Sequence, residues 1–117
     1  MRIIGGKFRN KKINFTKNIK TRPLKDSVRE NIFNILIHSN IVDINFESLN
    51  VLDLYAGSGS FGIECLSRGA SNVIFVEKDL DALFNLKKNI NNINLSKNSK
   101  IISKDINKFF NDVILEH

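Results

Sequence analysis

Twelve consecutive residues carry the densest chemistry in the chain: Val51-Leu52-Asp53-Leu54-Tyr55-Ala56-Gly57-Ser58-Gly59-Ser60-Phe61-Gly62. Their glycines fit G-x-G-x-x-G. In such a run the first glycine, Gly57, allows a tight turn. The second, Gly59, lets a ligand approach the backbone, and the third, Gly62, lets a helix pack close to the preceding strand. Asp53 stands four residues before Gly57. A pyrophosphate resting on a helix N-terminus is repelled by an adjacent carboxylate, which argues against a nicotinamide dinucleotide. A ligand with an amino group or a sulfonium is favoured there instead, and S-adenosylmethionine carries both. Asp53 has two compatible roles, holding the turn's N–H groups and meeting the methionine amino group.

Two more acids follow apolar runs. Glu77 ends NVIFVE, about 20 residues beyond the glycines, where an acid contacts ribose hydroxyls. It can also cap the next helix, although Asp79 is better placed for that. Asp105 follows KIISK. It can accept from an adenine amino group while Ile106 packs on the ring, or it can N-cap the next helix; both readings stand. Cys65 reads as packing and His38 as solvated or capping. Neither is assigned catalysis, and no residue is assigned as catalytic.

These residues need elements to position them. LNVLDLY (49–55) is a nearly continuous apolar run, the mark of a buried parallel strand. NVIFVE (72–77) and KIISK (100–104) are two more strands. Helices are expected over 60–68, stopped by Gly69, from Asp79 to about Asn92, and over 106–117. Leu80, Leu83, Phe84 and Ile90 are expected inward on the second, and Phe109, Phe110, Val113 and Ile114 form the apolar side of the third. Strand-helix-strand-helix-strand is the pattern of an α/β, doubly wound parallel sheet, here with about three parallel strands where open sheets have about five or six. Upstream, Asp26 or Ser27 caps a helix to about Ser39, with Val28, Ile32, Ile35 and Leu36 on one face. Residues 2–15 read as a β-hairpin turning at Arg9-Asn10-Lys11-Lys12, with Gly5-Gly6 at a bulge or close backbone approach. Its few apolar residues place it on or beside the core. The division expected is 1–25, a basic hairpin and loop, and 26–117, a ligand-binding α/β half.

The 117 residues carry a net charge of +6, unevenly spread. Residues 1–29 hold ten basic residues against one acid, whereas the remaining 88 hold eight against eleven. A basic arm on a mildly acidic body points to a polyanionic partner such as nucleic acid. One cysteine excludes an internal disulfide and fits a cytoplasmic setting. One cysteine and two histidines argue against a zinc site, and no metal is expected. No apolar run is long enough to span a membrane, and no signal peptide is expected at the start.

DLYAGSGSFGIECLSRGA (53–70) with VIFVEKD (73–79) resembles the nucleotide-binding half of class I S-adenosylmethionine-dependent methyltransferases, with their Rossmann-like fold. MRIIGGKFRNKKI and TRPLKDSVRENIFNIL (21–36) narrow the resemblance to the RsmD-type family, bacterial enzymes that methylate guanine N2 in small-subunit (16S) ribosomal RNA. The resemblance implies S-adenosylmethionine contacts from Asp53, Tyr55, Gly57, Ser58, Gly59, Glu77 and Asp105. It implies RNA contacts from Arg2, Lys7, Arg9, Lys11 and Lys12, with Arg22 and Arg29 near the cofactor and RNA entrance, and ribosomal RNA or the small subunit as partner. Leu24 departs from the family's usual threonine. A larger departure is the family's Asp/Asn-Pro-Pro-Phe/Tyr motif, which holds the target amine. The one proline here is Pro23, so the 117 residues lack that motif. The chain is expected to be the N-terminal part of such an enzyme, with an open sheet edge suited to self-association. The alternative is a non-catalytic RNA-binding or assembly module that keeps the cofactor half, or part of a methyltransferase with another nucleic-acid substrate.

Overall fold

The computed structural model describes residues 1–15, 26–39 and 44–116. Arg22, Leu24 and the rest of the basic loop at 16–25 lie outside the described residues, as do 40–43 and His117. In chain order the elements are α1 (Asp26–His38), β1 (Asn50–Asp53), α2 (Ser60–Ser67), β2 (Asn72–Val76), α3 (Leu80–Asn92), β3 (Ser99–Ile102) and α4 (Ile106–Glu116), with a short 3₁₀ turn at Ser96–Asn98 before β3. The sheet is parallel in the order β1-β2-β3. Val51 pairs with Val73 and Asp53 with Phe75, while Phe75 pairs with Ile101. This is the expected α/β arrangement, and among the described residues β1 and β3 are open edges.

The central strand β2 is the most buried, because α2 packs across it and β1. The contact is close: a Cβ on Gly62 would lie 2.3 Å from the Phe75 ring, so the third glycine serves helix-strand packing as its spacing implies.

The N-terminal segment corrects one expectation. It makes a single antiparallel bridge, Arg2 to Lys12, around a turn with Asn10 at φ 70°. Yet Ile3 and Ile13 are fully buried in the main core. Alternation explains this: Arg2 and Lys12 face out, so their neighbours face in. Two inward residues suffice to make the arm part of the core, although its overall composition is polar. Gly5-Gly6 is a close backbone approach, and beside it Lys7 N–H donates to the Ser67 carbonyl at 2.7 Å.

The helix faces also differ in part. On α1 the buried residues are Arg29 and Phe33, and Val28 and Ile35 are exposed. Phe33 stacks on Phe61 at 5.2 Å and meets Phe46 at 5.4 Å, which turns its side of the helix inward. On α3, Leu83 and Ile90 are buried as expected, and Leu86 is buried with them, but Leu80 and Phe84 are exposed. At 3.6 residues per turn Phe84 lies about 100° around the helix from Leu83. On α4 only Phe109 is buried, and Phe110, Val113 and Ile114 are exposed.

Candidate functional site

Asp53, Glu77 and Asp105 lie at or just beyond the carboxyl ends of β1, β2 and β3. Ligands of open parallel sheets bind at that end. A cleft of roughly 270 Å³ opens there, lined by Leu54, Tyr55, Glu77, Lys78, Asp105 and Ile106, among others.

Asp53 Oδ2 accepts from Gly62 N–H at 3.2 Å, tying the strand end to the first turn of α2. Its carboxyl is pushed up to about 6, chiefly by burial, and the nearby Glu77 charge pushes the same way. The Gly62 and Tyr55 backbone bonds pull back. The turn-holding role is therefore realised, and a cation beside Asp53 would relieve the strain of its charge.

Glu77 does more than follow its strand. Oε1 accepts from Gly57 N–H at 2.8 Å, and Oε2 accepts from Lys78 and Asp79 N–H, both at 2.9 Å. One carboxylate thus orders the glycine loop and the β2–α3 turn together. Helix capping is left to Asp79, which accepts from Ala82 N–H at 2.9 Å. Asp105 caps α4 by accepting from Lys108 N–H at 2.7 Å, and it still lines the cleft.

The glycines divide their work differently from the spacing's implication. Gly57 has φ 56° and nothing within 4 Å of a would-be Cβ, so it presents the open face a ligand can approach. Gly59 has φ 91°, and a Cβ there would meet Leu86 at 2.5 Å and Ile63 at 3.1 Å. Its need is backbone conformation and packing rather than ligand access. Ser58 is half-buried between them, and Tyr55, 83% exposed, stands at the rim.

Of the basic residues, Arg2, Lys7, Arg9, Lys11 and Lys12 are exposed on the arm. Arg29 is not with them. It is 2% exposed, donates through Nη2 to the Arg2 carbonyl and lies 3.8 Å from Glu64. It holds the arm from inside and has no surface to offer an RNA.

The residues that latch the arm were not singled out from sequence. Glu64, fully buried, accepts from Ile4 and Gly5 N–H at 2.9 Å each and from Arg68 Nε at 2.8 Å. Ser67 Oγ accepts from Phe8 N–H and donates to the Gly5 carbonyl. Asn89 is buried on α3 between arm and loop. The available signal was a polar residue inside an apolar stripe: Glu64 within FGIECL, and Asn89 in register with Leu86 and Ile90. Cys65 is buried as packing, and burial pushes its thiol up to about 12. Among the described residues no cluster of His, Cys, Asp and Glu suits a metal ion, and no helix is long and apolar enough to cross a membrane.

Comparison with known proteins agrees with this geometry. The family described as Conserved hypothetical protein 95 matches residues 1–115. Ribosomal RNA small subunit methyltransferase D of Haemophilus influenzae is 38% identical over 99 residues, covering 82% of this chain and 47% of that protein. The solved structure of a hypothetical protein from Thermus thermophilus superposes with a TM-score of 0.76 at 25% identity, covering 99% of this chain and 62% of that one. The C-terminal domain of precorrin-6Y C5,15-methyltransferase from Rhodobacter capsulatus shares the fold, with a TM-score of 0.62 at 21% identity over 78% of this chain and 45% of that one. The chain spans about half the length of the curated relatives it matches.

Proposed function

The chain belongs to the RsmD-type family, described as Conserved hypothetical protein 95, and from that premise we propose that it serves methyl transfer from S-adenosylmethionine to guanine N2 of small-subunit ribosomal RNA. The observation that carries the reading is three carboxylates at or just beyond successive strand ends, with Glu77 and Asp105 lining one cleft and Asp53 ending the neighbouring strand. A site for pyrophosphate would not place Asp53 beside the helix N-terminus. A site for an amine and a ribose would.

The residues fit that cofactor. Asp53 is a half-buried acid whose charge is raised in cost by burial and by Glu77, Gly57 leaves an open approach, and Ile106 offers an apolar wall. S-adenosylmethionine supplies a methyl group already activated by its sulfonium. Asp53 would meet the amino group, and Glu77 would take ribose hydroxyls with the lone pairs its backbone bonds leave. Asp105 and Ile106 would meet the adenine edge and face, while the Ser58 and Gly59 backbone shapes the loop. The chain's share of catalysis is positioning and water exclusion. The base must leave its stack to be reached, and the exposed arm cations, together with Arg22, would hold the surrounding phosphates.

No residue of this chain is assigned to hold the target amine, since no proline follows Pro23. Calorimetric titration with S-adenosylmethionine, with NAD and Glu77→Ala as controls, tests the cofactor site. Binding that is selective over NAD and at least tenfold weaker in the variant is expected. A folded chain that binds neither ligand would refute the cofactor reading.

A further inference from the structure

Asn89 uses all the hydrogen-bonding groups of its amide although it is fully buried. Oδ1 accepts from Asn14 N–H at 2.8 Å and from Asn14 Nδ2 at 3.3 Å. Nδ2 donates to the Asn14 carbonyl at 2.8 Å and to the Ser58 carbonyl at 2.8 Å. The side chain thus pairs with the Asn14 peptide as a neighbouring strand would, and its second N–H reaches the glycine loop. The partners fix which end is oxygen: reversed, the oxygen would face two carbonyls.

Burying a primary amide at a core position is costly unless every group is satisfied. Here the satisfied groups belong to two separate sites. Asn14 ends the arm just ahead of the basic loop, and Ser58 stands between Gly57 and Gly59. No apolar residue could serve both, and aspartate has the shape but lacks the donors.

We propose that Asn89 is a positioning residue that couples the two ligand sites, so that cofactor in the glycine loop tightens RNA binding by the basic arm. The inference rests on the cofactor and RNA reading above. Fixing the Ser58 carbonyl fixes the amide, and the amide fixes the backbone of Asn14. The arm then has less freedom to lose when RNA binds. Linkage makes the effect equal in both directions.

The test measures S-adenosylmethionine affinity of the unsubstituted chain with and without saturating small-subunit rRNA transcript, and RNA affinity with and without S-adenosylmethionine. Asn89→Asp and the exposed Asn91→Ala follow. Each ligand is expected to tighten the other by about fivefold or more. That ratio should fall to about one in Asn89→Asp, which keeps the acceptor and loses both donors, and hold in Asn91→Ala. Should Asn89→Asp fail to fold, the Asn14 amide of the unsubstituted chain decides. Its hydrogen exchange should slow when S-adenosylmethionine alone is added. A ratio of one with both ligands bound, coupling retained in folded Asn89→Asp, or unchanged Asn14 exchange would overturn the coupling and leave the proposed function standing. Failure of both ligands to bind would overturn the proposed function, and the coupling with it.

Discussion

Asp53 is held where its own charge is disfavoured. Its carboxyl titrates near 6 in the fold against 3.8 as an ordinary aspartate, with burial as the main cause. The folded chain therefore binds this proton more tightly than the unfolded chain. Stability falls as pH rises from about 4 to about 6, and above that the penalty is constant at roughly 3 kcal/mol. Asp53→Asn keeps an oxygen for the Gly62 N–H and removes the charge. It should raise the unfolding free energy by about 1–3 kcal/mol at pH 7.5 and by little at pH 4, measured by urea titration. The same variant should weaken S-adenosylmethionine binding at least tenfold. A group that is stabilising when neutral but retained as an acid is explained by a cationic ligand. In the unsubstituted chain the ligand's amino group should expel the Asp53 proton, so affinity should drop as pH falls from 7 to 5. An affinity flat over that range would remove Asp53 from the amino-group contact.

Helix α2 carries two jobs at its two ends. Its first turn is tied to Asp53 through the Gly62 N–H, and its last turns hold the arm through Glu64, Ser67 and Arg68. Glu64→Gln keeps the volume but removes the charge that answers Arg68 and the nearby Arg29. Breaking one side of a buried ionic cluster costs about 3–5 kcal/mol. A loss of that order is expected by denaturant unfolding, with faster amide exchange at Ile4 and Gly5; a loss under about 1 kcal/mol would show that Glu64 is not the latch. The same helix shows what sequence reveals. The three strands and the glycine loop were legible because buried parallel strands and tight turns constrain residue type locally. The arm was not, because only Ile3 and Ile13 of its residues are fully buried, and its latch joins residues some 60 positions apart. Arg29 was misplaced for a related reason: an arginine reads as surface charge until its partners, Glu64 and the Arg2 carbonyl, are known. Gly59 was half legible, since spacing shows that glycine is needed but not that Leu86 fills the space beside it.

On the proposed function, the arm's course bears on how large an RNA the molecule would engage. Residues 4–8 sit against the last turns of α2, whereas Asn14 is joined through Asn89 to Ser58 in the glycine loop. The arm therefore runs roughly the length of that eight-residue helix, about 12 Å at 1.5 Å per residue. Arg9 is on the turn beside the last turns of α2, away from the strand ends where the cleft opens, and Lys11 and Lys12 follow on the return limb that leads back to Asn14. On the proposed function, an RNA whose target base enters the cleft would have to run along the arm to meet all three. Charge reversal at all three should leave the fold and S-adenosylmethionine affinity in the absence of RNA unchanged, because the arm is held by Ile3 and Ile13 and by bonds from Arg29, Glu64, Ser67 and Asn89, none of which uses these three side chains. It should weaken binding of a long small-subunit transcript and lower the slope of log affinity against log salt by about 2–3. For an oligonucleotide of about three nucleotides, too short to bridge cleft and turn, the same substitutions should change neither affinity nor slope. An equal loss for both lengths would mean that the cations act as a diffuse field rather than as phosphate contacts. An unchanged slope on the long RNA would move the RNA surface off the arm altogether.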